Sequence, residues 1–177
     1  RAVGLSGKDA GLIKAKKKHA TVYENDEART VDIGYVGEVT EIDTGIIVDL
    51  LNQGYVPVIA PIGMGAEGES YNINADYVAA EIAGALHAEK FLLLTDVEGV
   101  YKDFGDKSSF LSQLHMDEAK EYIRSGVIAG GMIPKVEACL RALEAGAHKT
   151  HIIDGRLAHS IILEIFTSRG IGTMVLP

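Results

Sequence analysis

The stretch that most restricts the fold of this chain is residues 90–95, in which Lys90 leads into Phe91-Leu92-Leu93-Leu94 and Thr95. Four consecutive large apolar side chains in an extended run leave no face for water, so they describe a strand buried on both sides. An amphipathic helix precedes it, because within residues 77–86 Val78, Ala79, Ile82, Ala83 and Leu86 fall on one stripe. The same alternation recurs on either side. Asp43 as N-cap and Gly54 as C′ residue bracket a helix carrying Ile46, Ile47, Leu50 and Leu51 on one face, and the short apolar strand Val56–Ala60 follows. Further on come a helix over Met116–Arg124 ending at Gly126, a glycine-rich stretch over 127–131, and a helix up to Gly146 with Ile133, Val136, Leu140 and Leu143 on one face. Pro134 is tolerated in its first turn. A strand over 151–154, a helix over 161–166 and a strand over 172–176 close the chain. Buried strands alternating with amphipathic helices predict an α/β fold, a mostly parallel sheet with helices on both faces. Ligands in such sheets bind beyond the carboxyl ends of the strands. Here those ends are the Gly63 loop, Thr95-Asp96 and Asp154-Gly155.

The first forty residues carry weaker signals. Ala2–Ser6 and residues 12–16 flank the turn-rich segment 7–11 and read as a β-hairpin. Lys16-Lys17-Lys18 reads as a solvated strand end that guards an edge. Residues 19–30 are charged and aperiodic, which predicts a surface loop, and extended structure resumes over 31–39 despite Gly34 and Gly37. With 47% hydrophobic and 24% charged residues, the 177-residue chain can bury a substantial core, and a single domain over 1–177 is expected. A net charge of -8 argues against nucleic acid or an anionic membrane as partner. The single cysteine, Cys139, excludes an internal disulfide and places the chain in the cytoplasm. No signal peptide and no apolar run of bilayer length is present. The first residue is Arg1 rather than Met, which suggests a processed product or a piece of a longer protein.

Several polar groups are candidates for chemistry. Asn72, Asn74 and Asp76 occupy alternate positions where an extended segment turns into the helix over 77–86, and Asn74 is placed to cap it. A cluster at a helix N-terminus is either ordinary capping or a site for an anionic ligand. Gly63 to Gly68 spells G-x-G-x-x-G after a strand, but Glu69-Ser70-Tyr71 reads as extended where a dinucleotide fingerprint needs a helix. A flexible loop over a ligand mouth is the expectation there. Gly126 to Gly131 has the glycine spacing of a P-loop, with Met132 where the lysine belongs. Lys135, one turn further on, either reaches a phosphate as a point charge or faces solvent. Thr95 to Tyr101 follows the most hydrophobic strand, and Asp96 either accepts from a ribose or forms an Asx turn. The six histidines show no zinc spacing, so no metal site is expected, and His148 and His151 read as structural or surface residues. Cys139 sits on an apolar helical face and is expected to be inert. No G-x-S-x-G elbow is present.

Four ordered blocks, Asn72 to Asp76, Leu93 to Val100, Gly130 to Val136 and Ile152 to Arg156, resemble the N-acetyl-L-glutamate kinases of the amino acid kinase family. The likeness runs from Gly4-Leu5-Ser6-Gly7 to Gly170-Ile171-Gly172-Thr173. It implies transfer of the γ-phosphoryl of ATP, bound with Mg2+, to the γ-carboxylate of N-acetyl-L-glutamate, an early step of arginine or ornithine biosynthesis. Under this resemblance Asn72 binds the substrate α-carboxylate, Asp76 holds the catalytic lysines in position, and Lys135 stabilises the transferring phosphoryl group. Thr95, Asp96, Val97, Glu98, Gly99, Val100 and Tyr101, with Val127, Ile128 and Ala129, form the nucleotide-binding segments. His159, Glu164, Gly170 and Gly172 match the tail of arginine-inhibited members, where Glu164 would pair with a guanidinium. The resemblance places a glycine-rich phosphate loop, a second phosphoryl-stabilising lysine and a substrate-binding arginine in an N-terminal half that this sequence does not contain. The fragment alone is therefore expected to have little or no kinase activity, although the parent enzyme is expected to be a homo-oligomer. A glutamate 5-kinase or uridylate kinase is disfavoured by the spacing over 72–76 and by the tail; a non-catalytic nucleotide-binding module is the alternative from another class.

Overall fold

The structure is a computed structural model that describes residues 1–24, 27–167 and 170–177. The chain forms two compact units, residues 1–78 and 79–177, each built from strands and helices with parallel pairings. The fold is α/β.

In the first unit, β1 (Ala2–Ser6) and β4 (Val56–Ala60) pair in parallel, in register from Ala2 with Val56 to Ser6 with Ala60. The expected hairpin between residues 2–6 and 12–16 is therefore corrected. The turn over 7–11 leads out of one sheet and into another, and β1 finds its partner fifty residues downstream. β2 (Ile13–Glu24) and β3 (Glu27–Ile42) form a long antiparallel hairpin. This replaces the surface loop expected over 19–30, whose residues 25 and 26 lie outside the described residues. The lysine run stands inside β2 rather than at a strand end: Lys16 pairs with Glu38 at 2.9 Å and Lys17 with Asp32 at 2.6 Å across the hairpin. These neighbours hold the Asp32 carboxyl below its usual range, first through the Lys17 hydrogen bond and then through the Gly34 N–H.

α1 (Gly45–Asn52) links the hairpin to β4. Asp43 Oδ1 accepts from Gly45 N at 2.9 Å, while the N-cap position itself belongs to Thr44. At the other end Gly54 is the C′ residue, with its N–H on Leu51 O at 2.9 Å and the Tyr55 N–H on Leu50 O at 3.0 Å. That pair of bonds is a Schellman turn. β5 (Ile62–Met64) and β6 (Ser70–Asn72) are antiparallel and close a four-stranded barrel with β2 and β3. The glycine run 63–68 thus belongs to this hairpin, Gly63 and Met64 in β5 and residues 65–68 in its turn, with Gly65 N on Glu69 O and Gly68 N on Gly65 O, both at 3.0 Å. Leu12, Ile13, Ala15, Tyr71, Ile73 and Val78 are buried here. Gly37 lets β3 approach closely: a Cβ at that position would lie 2.5 Å from the Tyr71 Cβ.

The boundary between the units falls within α2 (Ala75–Ala85). In the second unit, β7 (Phe91–Thr95) is followed by the small hairpin of β8 (Val100–Tyr101) and β9 (Phe110–Leu111), then β10 (Gln113–His115) and α3 (Met116–Arg124). α4 (Met132–Glu144), β11 (Thr150–Asp154), α5 (Ser160–Phe166) and β12 (Thr173–Leu176) complete the chain. The sheet order is β10-β12-β11-β7. β11 runs parallel to β7 and β12 parallel to β10, with one antiparallel ladder between β11 and β12. The core beneath it is formed by Phe91, Leu93, Leu114, Ile152, Ile153 and Val175 with Val136, Cys139, Leu140 and Leu143 of α4. Cys139 is fully buried. Among the described residues no helix is long and apolar enough to cross a membrane.

Candidate functional site

Two chain segments separated by about thirty residues meet in the second unit. β7 is parallel to β11, so its carboxyl end opens at Thr95, paired with Asp154. From there the chain turns through residues 96–99 into β8, and a cavity of about 340 Å3 opens beside it. Asp96, Val97, Gly99, Val100 and Tyr101 form one wall, Val127, Ile128 and Ala129 a second, and Gly131, Met132 and Lys135 bring in the start of α4. Of the residues expected to bind nucleotide, only Thr95 and Glu98 do not line it. Thr95 donates its hydroxyl to Asp96 Oδ1 at 3.1 Å, which orients the carboxylate that does. Glu98 accepts from the Tyr101 hydroxyl and lines a neighbouring hollow with Lys107 and Asp154.

The wall is held by a residue far along the sequence. Thr173, fully buried, accepts from Val100 N at 2.8 Å and donates to Leu111 O at 2.6 Å, which fixes the β8–β9 hairpin against β12. Gly99 makes this closeness possible. Its φ is +153°, and a Cβ there would lie 2.5 Å from Thr173 Oγ1 and 2.9 Å from the Phe110 ring. The opposite wall is pinned by Ile128 N on Tyr122 O at 2.9 Å, and Ile128 itself is buried. α4 begins at Met132 with no side chain capping it from Gly131. Lys135 stands in the first turn of a helix whose first N–H groups are already taken, Met132 N by Ala129 O at 3.3 Å and Ile133 N by Gly130 O at 3.2 Å, with none on Pro134. The lysine and the helix dipole are therefore what favour negative charge here. A cavity with apolar walls, one carboxylate and a helix start that bears a lysine suits a ligand with a flat apolar part and an anionic part. Among the described residues no group of three or more His, Cys, Asp or Glu gathers to hold a metal ion.

In the first unit, Asn74 Oδ1 accepts from Asp76 N at 2.9 Å and Tyr77 N at 3.2 Å, so Asn74 caps α2. Asn72 ends β6 with its side chain exposed, and Asp76 lies half-buried in the first turn of α2. Of the three, the capping role belongs to Asn74 alone.

At the C-terminus Glu164 is not a solvent-facing glutamate: its side chain is 6% exposed. Oε2 accepts from Ile171 N at 2.7 Å and Gly172 N at 3.2 Å, and Oε1 lies 2.6 Å from His151 Nδ1. Burial pushes the Glu164 carboxyl up, yet the Ile171 N–H, the His151 ring and the Gly172 N–H together outweigh it and hold the group below its usual range. Glu164, Gly170 and Gly172 are thus brought together. The imidazole hydrogen-bonded to Glu164 is that of His151; His159 occupies the N-cap of α5, exposed and in the left-handed region with φ 60°. The Nε2 of His151 is buried and finds no hydrogen-bond partner among the described residues. Sequence reading missed this partnership because thirteen positions separate a strand residue from a helix residue. It also missed Phe104, Gly131 and Met132 in the cavity wall. Gly131 and Met132 lie within the motif Gly130 to Val136, whereas Phe104 carries no periodic signal.

The amino acid kinase family matches residues 1–154. The chain is 56% identical over 177 residues to the acetylglutamate kinase of Moorella thermoacetica, covering 100% of this chain and 60% of that protein. It thus spans about 60% of the length of the curated relatives it matches. Among solved structures, N-acetylglutamate synthase from Neisseria gonorrhoeae, complexed with coenzyme A and L-arginine, is 26% identical with a TM-score of 0.75, over 97% of this chain and 37% of that one. Carbamate kinase from Giardia lamblia bound to AMP-PNP shares the fold, with a TM-score of 0.65 at 19% identity, over 90% of this chain and 52% of that one.

Proposed function

Because the chain belongs to the amino acid kinase family, we propose that it is the nucleotide-binding portion of an acetylglutamate kinase, with part of the acyl-acceptor site. In this reading the γ-phosphoryl of ATP passes to the γ-carboxylate of N-acetyl-L-glutamate, and an acyl phosphate leaves. The observation that carries it is the cavity of the second unit, which gathers residues 96–101 and 127–129 around Lys135. The relatives at 50–56% identity bear that enzyme's name.

Phosphoryl transfer asks the protein for positioning and charge stabilisation more than for covalent help. The apolar walls between Val97 and Ile128 hold the base, and Asp96, oriented by Thr95, accepts from the ribose. Lys135, in the first turn of α4, places a compact positive charge where the phosphates meet the helix N-terminus. The Mg2+ of this reading would be held by the phosphates themselves and would neutralise part of their charge, while Asp96 keeps its role at the ribose. Asn72 binds the acceptor's α-carboxylate, and Asp76 orders the catalytic lysines. L-arginine acts at the turn that Glu164 holds around Gly170; the Neisseria synthase, solved with coenzyme A and L-arginine, supports L-arginine as a ligand.

The test is acyl-phosphate formation, trapped as the hydroxamate, by the chain extended to the length of its relatives. Turnover with N-acetyl-L-glutamate and none with free glutamate or uridylate is expected. Turnover with either of those instead would overturn the assignment. The 177 residues alone are expected to bind MgATP with little turnover, since they span about 60% of the relatives. That coverage also favours a second reading, a nucleotide-binding module, which full turnover by the chain alone would exclude.

A further inference from the structure

Phe104 is a large apolar ring left 78% exposed, and it stands at the wall of the second unit's cavity. It is not a loose side chain on a loose loop. Its ring meets that of Tyr101 edge-on, with centroids 5.9 Å apart at 80°, and Tyr101 in turn meets Phe110 at 5.2 Å. The segment that presents it is closed on itself. Gly105 N donates to Asp103 Oδ1 at 2.9 Å, Ser109 Oγ donates to the carbonyls of Asp103 at 2.8 Å and Asp106 at 2.7 Å, and Asp106 Oδ1 accepts from Ser108 N at 2.8 Å. Phe104 contributes nothing to the buried core, and its edge contact with Tyr101 uses only part of the ring. One edge is fixed by Tyr101 while the rest of the ring stays open beside an apolar cavity. Such a ring is stabilised only when a flat apolar surface covers it.

We infer that Phe104 stacks on the nucleobase of the bound nucleotide and is a further nucleotide-binding residue. The inference rests on the proposed nucleotide reading of this cavity and adds the contact that recognises the base. A pre-positioned aromatic ring loses little freedom on binding, which makes it an efficient anchor. Stacking tolerates any base, because every base has a π face, so Phe104 contributes affinity for nucleotides without choosing among them.

The chain contains no tryptophan, so Phe104→Trp introduces a single tryptophan, excited selectively over the tyrosines, at the proposed contact. ATP and GTP are expected to quench its emission, and inorganic tripolyphosphate is expected to leave it unchanged. By calorimetry, Phe104→Ala is expected to weaken ATP binding about 5- to 100-fold, with tripolyphosphate binding and melting temperature unchanged. Equal ATP affinity in wild type and Phe104→Ala overturns the stacking contact while the nucleotide reading stands. Equal loss of ATP and tripolyphosphate binding in Phe104→Ala also overturns it, by showing that the substitution disturbs the loop. A wild-type chain that is folded yet binds neither ATP nor tripolyphosphate overturns the nucleotide reading and this inference with it.

Discussion

Replacing Glu164 by alanine removes the acceptor that holds the turn at 170–172. Three donors lose their partner: Ile171 N, Gly172 N and the ring of His151. A buried donor left unmet costs about 1–3 kcal/mol. Ile171 is half-buried and can recruit water, whereas Gly172 and His151 are buried, and losses within one network overlap. The sum is about 2–4 kcal/mol, which for a chain of this length lowers the melting temperature by roughly 10 °C. Glu164→Gln keeps an oxygen for the two N–H groups and loses only the charge, so its drop is expected to be less than half as large. The pH dependence has a fixed sign. The carboxyl is held below its usual range, so its charge stabilises the fold fully above the unfolded value of about 4.3, and that stability is lost as pH falls through the lower folded value. Thermal melts followed by circular dichroism from pH 7 to pH 3 are expected to show wild type and Glu164→Gln separated by a constant gap down to about pH 5, closing below about pH 4. A Glu164→Ala variant that melts within a degree of wild type at pH 7, or a gap that widens on acidification, would refute this reasoning.

Asn74→Ala is expected to cost about 1 kcal/mol by uncapping α2, with no change in MgATP affinity; a loss of affinity in calorimetry would show that capping is not its main role. Gly99→Ala drives a Cβ into Thr173 and the Phe110 ring, so a stability loss of about 1–3 kcal/mol in chemical denaturation is expected, and an unchanged denaturation midpoint would contradict the packing of that wall. L-arginine is expected to raise the melting temperature of the wild-type chain and to do so less for Glu164→Gln; equal shifts in the two would remove Glu164 from the proposed effector site.

The second unit was legible in sequence because its elements are defined by burial. Phe91 and Leu93 point into the core, but β7 is not buried on both sides as its four apolar residues predict: Leu92 is half-buried and Leu94 is 47% exposed. The stripe of Val136, Leu140 and Leu143 on α4 is buried as its spacing predicts. Ala138, Cys139 and Ala142 widen that face, and small side chains leave little trace in a pattern of large apolar residues. The long hairpin escaped notice for the opposite reason. From Glu27 to Tyr35 every residue of β3 is exposed, so no alternation between wet and dry faces is written into it. Its strands are held by the backbone ladder and by cross-strand ion pairs such as Lys17 with Asp32. The parallel partnership of β1 with β4 was hidden because pairing over fifty residues leaves no local mark. At the candidate site, the residue roles came from ordered motifs rather than from periodicity. Spacing alone could not tell a solvent-facing Lys135 from one at a cavity, nor predict that Phe104 would stand at the same wall.

The central claim is that the cavity around Lys135 binds the phosphates of a nucleotide, and calorimetric titration of MgATP into the wild-type chain and a Lys135→Met variant tests it most directly. Saturable binding by wild type, weakened about tenfold in a variant with the same melting temperature, is the predicted result. Equal affinity in the two, or no binding by a wild-type chain shown to be folded, would contradict it.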